Sequence, residues 1–316
     1  MYNGILNIYK EKGFTSHDVV AKLRGILKQK KIGHTGTLDP YAIGVLPVCL
    51  GRATKLCDML THKEKTYSTE LILGKATDTQ DIWGKTINET DIARKRETVT
   101  DELIYDAVMS FIGEYSQIPP MYSAIKVNGK KLYELAREGI EIERKPRNVR
   151  IIAIKKLVID YPRISMEVEC SKGTYIRTLC HDIGLKLGTY GCMTFLERIK
   201  TGVFEKEASY TLAQVEDYMK RGLLDDIIFP IDKMFEKFKS IYMEETLNKL
   251  LYNGNPIPVK MIKNIQINNF EADGMAESAS DEKNMAESYK VYDYKNEFIG
   301  IYKIKDSLLM PEKLFL

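Results

Sequence analysis

Residues 164–188 join two periodicities in one short stretch. Ile164, Met166, Val168 and Cys170 alternate with Ser165, Glu167 and Glu169, the period-two pattern of a strand buried on one face. Ser171-Lys172-Gly173 then makes a turn. From about Tyr175 the apolar residues recur at helical spacing, with Ile176, Leu179, Cys180, Ile183 and Leu187 inward and Gly188 as the stop. A half-buried strand feeding an amphipathic helix requires a sheet with helices packed against it. Other segments agree. Tyr67, Thr69, Leu71 and Leu73 share one face of a strand over 66–73. Thr15 and Asp18 have capping-box spacing ahead of Val19, Val20, Leu23, Ile26 and Leu27, which predicts a helix. A second helix is expected over Asp101–Ile112, with Leu103, Ala107, Val108 and Phe111 inward, and another near Thr211. Ile118-Pro119-Pro120 forbids helix continuation. Strands and helices alternate without the glycine-rich turn of a dinucleotide fold, so residues 1–230 read as an α+β domain on a mixed, mainly antiparallel sheet.

Beyond Pro230 the texture changes to short strand-like pieces and turns, which predicts a small β-rich domain over 231–316. Within it, 271–288 is rich in Ala, Ser, Glu and Asp and is expected to be a disordered insert. That segment holds six acids against Lys283; the whole chain carries +3, which leaves +8 on the rest. A basic body attracts a polyanion such as RNA. Lys22, Arg24 and Lys28 on the first helix, with Lys30 and Lys31 beyond, are either a solvated face or a contact to phosphates. The five cysteines are scattered without a C-x-x-C pair, which fits reduced thiols in the cytoplasm. Residues 1–12 lack the features of a signal peptide, and no apolar run reaches membrane-spanning length.

The chemistry-bearing residues concentrate in three places. The loop Gly33-His34-Thr35-Gly36-Thr37-Leu38-Asp39-Pro40 holds a carboxylate between glycines and a proline. Asp39 reads as a reactive carboxylate or as a helix N-cap followed by proline at the first helical position, and spacing alone favours the cap. His34 has no companion ligands in the loop, which argues against a metal. Gly84-Lys85-Thr86 resembles the end of a phosphate loop, but the glycine required five residues before Gly84 is Thr79. Lys65-Thr66-Tyr67 places a phenol at a strand start, and Thr174-Tyr175-Ile176-Arg177 projects Tyr175 and Arg177 from a helix's first turn. Singly, these residues read as packing aromatics and a surface charge. Together they suit a flipped-out base: a carboxylate for chemistry, aromatics for stacking, and an arginine to orient the carboxylate.

Five ordered segments carry a resemblance to a known family. They are Gly33–Pro40, Lys65-Thr66-Tyr67, Gln117–Lys126, Cys170–Arg177 and Leu196–Gly202, covering about the first 205 residues. In them the chain resembles the bacterial TruB family of tRNA pseudouridine synthases, which modify the uridine at position 55 in the T-loop of tRNA. The resemblance implies a pseudouridine synthase fold with a central cleft and a C-terminal PUA-like RNA-binding domain. It implies Asp39 as the essential aspartate, Arg177 as its partner, and Tyr67 stacked on the target base. It also implies His34 against the T-loop, Tyr175 and Leu196 lining the base pocket, and Lys10 and Lys126 as further substrate contacts. No cofactor and no metal are expected, and the partner is tRNA, bound by a monomer with no obligatory protein partner. Two departures stand out: Lys10-Glu11-Lys12-Gly13 lacks the family's proline, and Glu197 stands where a second arginine is common. The alternatives are a non-catalytic tRNA-folding chaperone and a guide-RNA-dependent synthase on other RNAs.

Overall fold

The computed structural model describes residues 1–127, 129–262 and 288–316. Ten strands form one sheet: β1 (Gly4–Lys10), β2 (Ile32–His34), β3 (Ile43–Leu50), β4 (Lys65–Leu73), β5 (Gly113–Gln117), β6 (Arg147–Asp160), β7 (Arg163–Cys170), β8 (Gly191–Thr201), β9 (Phe204–Glu205) and β10 (Ile228–Phe229). The order is β10-β1-β3-β8-β4-β7-β6-β5, with β2 beside β3 and β9 beside β8. Pairing is antiparallel except between β3 and β8, where Glu197 faces Ile43 and Arg198 faces Gly44. That parallel contact joins the two halves of the sheet, and the candidate site lies around it.

The four helices of nine or more residues among the described residues pack on the sheet. In α1 (Ser16–Leu27) the Thr15–Asp18 capping box forms as expected. Its inner residues Val19, Val20, Leu23 and Leu27 pack on Leu6 and Ile8 of β1 and Leu46 and Val48 of β3. α2 (Asp101–Met109) is capped by Thr100 and ends three residues earlier than its apolar spacing predicts. Its inner face also differs: Ile104 is fully buried whereas Leu103 is exposed. The two are neighbours on the helix, and the helix turns Ile104, Ala107 and Val108 toward the sheet. α3 (Ile176–Lys186) follows β7 through the Gly173 turn, and Gly188 ends it with φ +64°. α4 (Leu212–Lys220) begins where a helix was expected, and Thr211 caps it.

A second sheet of five strands holds the C-terminal part: β11 (Lys239–Tyr242), β12 (Ile257–Pro258), β13 (Ser288–Tyr292), β14 (Phe298–Lys305) and β15 (Leu308–Leu314), in the order β11-β13-β14-β15-β12. The two sheets share a core. Ile231, Phe235, Ile301 and Phe315 pack with Ile5, Val45, Cys49 and Leu56 of the larger unit. The expected insert 271–288 lies outside the described residues apart from Ser288, which opens β13. Among the described residues no helix is long and apolar enough to cross a membrane.

Candidate active site

The Asp39 loop is built from its ends inward. β2 pairs with β3 as far as His34 opposite Val48, and the Thr35 N–H and hydroxyl both donate to the Pro47 carbonyl. Leu38 is buried, and its N–H donates to the Ser16 hydroxyl at 3.0 Å. With the chain held on both sides, Asp39 is left partly exposed. No helix follows it: residues 40–41 form a turn and β3 begins at Ile43. The helix-cap reading of Asp39 therefore fails, and its side chain is free for another role.

That role begins with Arg177. Its Nε lies 2.9 Å from Asp39 Oδ2 and its Nη2 3.3 Å from Oδ1, a two-pronged pairing that fixes the carboxylate's plane. The same guanidinium donates to the carbonyls of Thr79 and Tyr122, both at 2.9 Å. The Arg177 side chain is 5% exposed whereas that of Asp39 is 38% exposed. The arginine is thus locked by its surroundings and the carboxylate presents an accessible face. A second carboxylate, Asp81, stands 3.7 Å from Arg177 and is held by the Thr79 hydroxyl. Burial raises the Asp81 carboxyl above its ordinary range, against the opposing pull of Thr79 and Arg177.

Tyr67 occupies β4 opposite Arg198 of β8 and Val168 of β7. It is buried, and burial raises its phenol; the Arg198 charge works the other way and the Asp39 charge adds to the rise. The ring is therefore neutral, suited to stacking and to holding a proton. Tyr175 is the residue before α3, one position short of the expected first turn. Gln117 pins it through two bonds: the Tyr175 N–H donates to Oε1 at 2.8 Å, and Nε2 donates to the Tyr175 carbonyl at 3.0 Å. Leu196 is buried in the same apolar cluster as Tyr67 and Leu38. His34 accepts the Gly36 N–H at Nδ1 and packs edge-on against His17, with ring centroids 5.3 Å apart. Burial, with the charges of His17 and Arg198, lowers its imidazole below the ordinary value. Its ring is neutral near pH 7.

Lys10 departs from expectation. It is fully buried, and its ammonium donates to the carbonyls of Glu11, Phe14 and Pro40. Burial lowers it to about 8, with the Asp39 charge opposing that shift. An ammonium enclosed by three carbonyls has no donor left for a substrate, so Lys10 serves to tie the first loop to the Asp39-Pro40 turn. The Gly13 N–H reinforces the tie by donating to the Pro40 carbonyl at 2.9 Å. These bonds hold the Lys10–Gly13 segment, which lacks the family's proline, against the Asp39-Pro40 turn. Lys126 is exposed on a short hairpin, Lys126–Val127 with Lys130–Lys131, outside the Asp39–Arg177 network. Glu197 is turned inward, where it accepts from the Tyr9 hydroxyl and pairs with Lys206, so it is not an exposed negative charge.

Three residues of the site escaped sequence reasoning: Asp81, Arg198 and Gln117. Gln117 and Arg198 lie inside matched segments without a marked role. Arg198 is 1% exposed, donates from Nε to the Val45 carbonyl at 2.7 Å, and keeps a buried Nη2 with no partner. Asp81 lies inside the failed phosphate-loop span, two residues after Thr79, and that test gave it no role.

The N-terminal domain model of the TruB family pseudouridylate synthases matches residues 24–176, and the tRNA pseudouridylate synthase B C-terminal domain model matches residues 177–236. The tRNA pseudouridine synthase B of Lachnoclostridium phytofermentans is 48% identical over 99% of this chain and 100% of its own length. That of Clostridium perfringens strain 13 is 43% identical over 99% of each. Among solved structures, a Cbf5-Nop10-Gar1 complex aligns with a TM-score of 0.68 and 26% identity over 99% of this chain and 85% of the matched one.

Proposed function

The chain belongs to the TruB family of pseudouridylate synthases, and from that premise we propose that it isomerises the uridine at position 55 of tRNA to pseudouridine. The reaction breaks the bond from the sugar C1′ to N1, turns the uracil in place and joins C1′ to C5. The C5 hydrogen leaves as a proton and N1 gains one, so electrons balance without a redox partner. In this reading Asp39 is the reacting carboxylate and Arg177 orients it. Tyr67 stacks on the flipped uracil, with Tyr175 and Leu196 around the base and His34 against the loop it vacated. Flipping costs a few kcal/mol, and stacking on an aromatic returns ~1–3 kcal/mol per base, so the two nearly offset. Lys126, exposed beside the site's Tyr122–Ser123 segment, is offered as an RNA contact. The C-terminal sheet is read as a PUA-like module that adds affinity for tRNA, and a cytoplasmic location follows from that substrate.

The observation that carries the reading is the Asp39–Arg177 pair, buried on the arginine side and open on the carboxylate side. A guide-dependent synthase is the second reading, favoured only by the likeness to a chain solved inside a Cbf5-Nop10-Gar1 complex. One experiment separates them. A tRNA transcript carrying tritium at C5 of a single uridine, in the T-loop at position 55 or elsewhere, is incubated with this protein alone. Release from position 55 only is expected. Release requiring added protein or RNA would favour the guide-dependent reading.

A further inference from the structure

Two residues after Asp39 and two after Asp81 stand the rings of Tyr41 and Trp83, 47% and 39% exposed. They stack on each other with centroids 4.6 Å apart and planes at 17°. The Lys12 ammonium lies 5.6 Å from the Trp83 ring and 6.0 Å from the Tyr41 ring. The isomerisation as derived above uses none of the three. Two large rings held together in solvent beneath a cation leave apolar area uncovered, which is unfavourable unless something covers it.

The stack is anchored from both sides of the reacting centre. Tyr41 follows the Asp39-Pro40 turn, and the Pro40 carbonyl accepts from Lys10 and Gly13 on either side of Lys12. Trp83 donates its backbone N–H to Asp81 Oδ1 at 3.2 Å, and Asp81 Oδ2 faces Arg177. Two residues of chain span at most ~7 Å, so the Cα of each ring residue lies within that distance of the Cα of Asp39 or Asp81, the two carboxylates that face Arg177.

Resting on the pseudouridine synthase reading, we infer that Tyr41 and Trp83 form a stacking platform for an RNA base adjoining the flipped uridine, with Lys12 on that nucleotide's phosphate. When one base leaves a stack its neighbours lose a partner, and an exposed aromatic beside the pocket replaces it. The cation at the ring edge favours a nucleotide over an uncharged apolar partner, and the +8 carried outside 271–288 favours a polyanion.

Trp83 is the single tryptophan of the chain, so its emission reports on this site alone. Unlabelled tRNA transcript is titrated into the full chain to follow that emission in wild type and Lys12→Gln, and Kd is measured separately, by filter binding of end-labelled tRNA, for wild type, Trp83→Phe, Lys12→Gln and the double variant Trp83→Ala/Tyr41→Ala. Saturable quenching is expected in wild type. The double variant should bind about 5- to 150-fold more weakly, the equivalent of one lost base stack, while Trp83→Phe keeps a ring and stays within about threefold. Lys12→Gln should flatten the slope of log Kd against log salt by about 0.7 to 0.9. A double variant with a wild-type melting temperature and wild-type Kd overturns the platform; if it also releases tritium, the isomerase reading stands without it. Weakened binding in the double variant with no release by wild type supports the platform and removes the isomerase reading instead.

Discussion

At the scale of single residues, the site depends on which charges are buried and which are not. Arg177 donates to Asp39, Thr79 and Tyr122 at once, a fan of donors that a lysine ammonium could not reproduce in one plane. The sequence marked Asp39, Arg177 and Tyr67 through a resemblance, because spacing alone made Asp39 a helix cap. It could not show that Lys10 is enclosed, since a lysine at the end of a strand is ordinarily solvated. His34 offers a test in pH. Its folded-state value is lowered from 6.5 by burial, with the positive charges of His17 and Arg198 adding to the effect. The unfolded chain therefore binds the proton first as pH falls. The stability gained from a neutral buried ring is complete well above 6.5 and is lost as pH falls below it toward the folded value. Urea midpoints should fall more steeply from pH 7 to pH 5 in wild type than in His34→Gln. Parallel declines would show that the ring is not held neutral by the fold.

At the scale of elements, the parallel contact between β3 and β8 sets the position of the whole site. Gly44 has φ +104°, and a Cβ there would lie 2.2 Å from the Arg198 carbonyl oxygen. Backbone cannot yield as a flexible side chain can. Gly44→Ala should therefore cost on the order of 3 kcal/mol and lower the melting temperature by roughly 5–10 °C. It should also move Arg198 relative to Tyr67; an unchanged melt would mean that the strands part easily. The alternating strands β4 and β7, the cap of α1 and the start of α4 were legible, because period and cap chemistry are local. The β3–β8 contact was not, since it joins residues about 150 positions apart through glycine geometry, which no local pattern encodes. Leu103 was misplaced for a related reason: a short helix with both Leu103 and Ile104 supports two inner faces until the sheet chooses one.

At the scale of the molecule, the two sheets are joined by an aromatic core rather than a bare linker. A chain cut after residue 230 loses Ile231, Phe235 and Phe315 from above Ile5, Val45 and Cys49. It should melt earlier and bind tRNA more weakly. Below its melting temperature, at saturating tRNA, its single-turnover rate should stay within about threefold, because Asp39, Tyr67 and Arg177 remain. A collapse of that rate would place part of the chemistry in the tail. Composition marked a change of texture near Pro230 but not this shared core, which forms from residues far apart in sequence. The central claim is that Asp39 carries out the isomerisation, and one comparison tests it most directly: tritium release from tRNA labelled at uracil C5, by wild type and by Asp39→Asn. The account predicts release by wild type and none by the variant, with tRNA still bound. Release by Asp39→Asn at a comparable rate would contradict it.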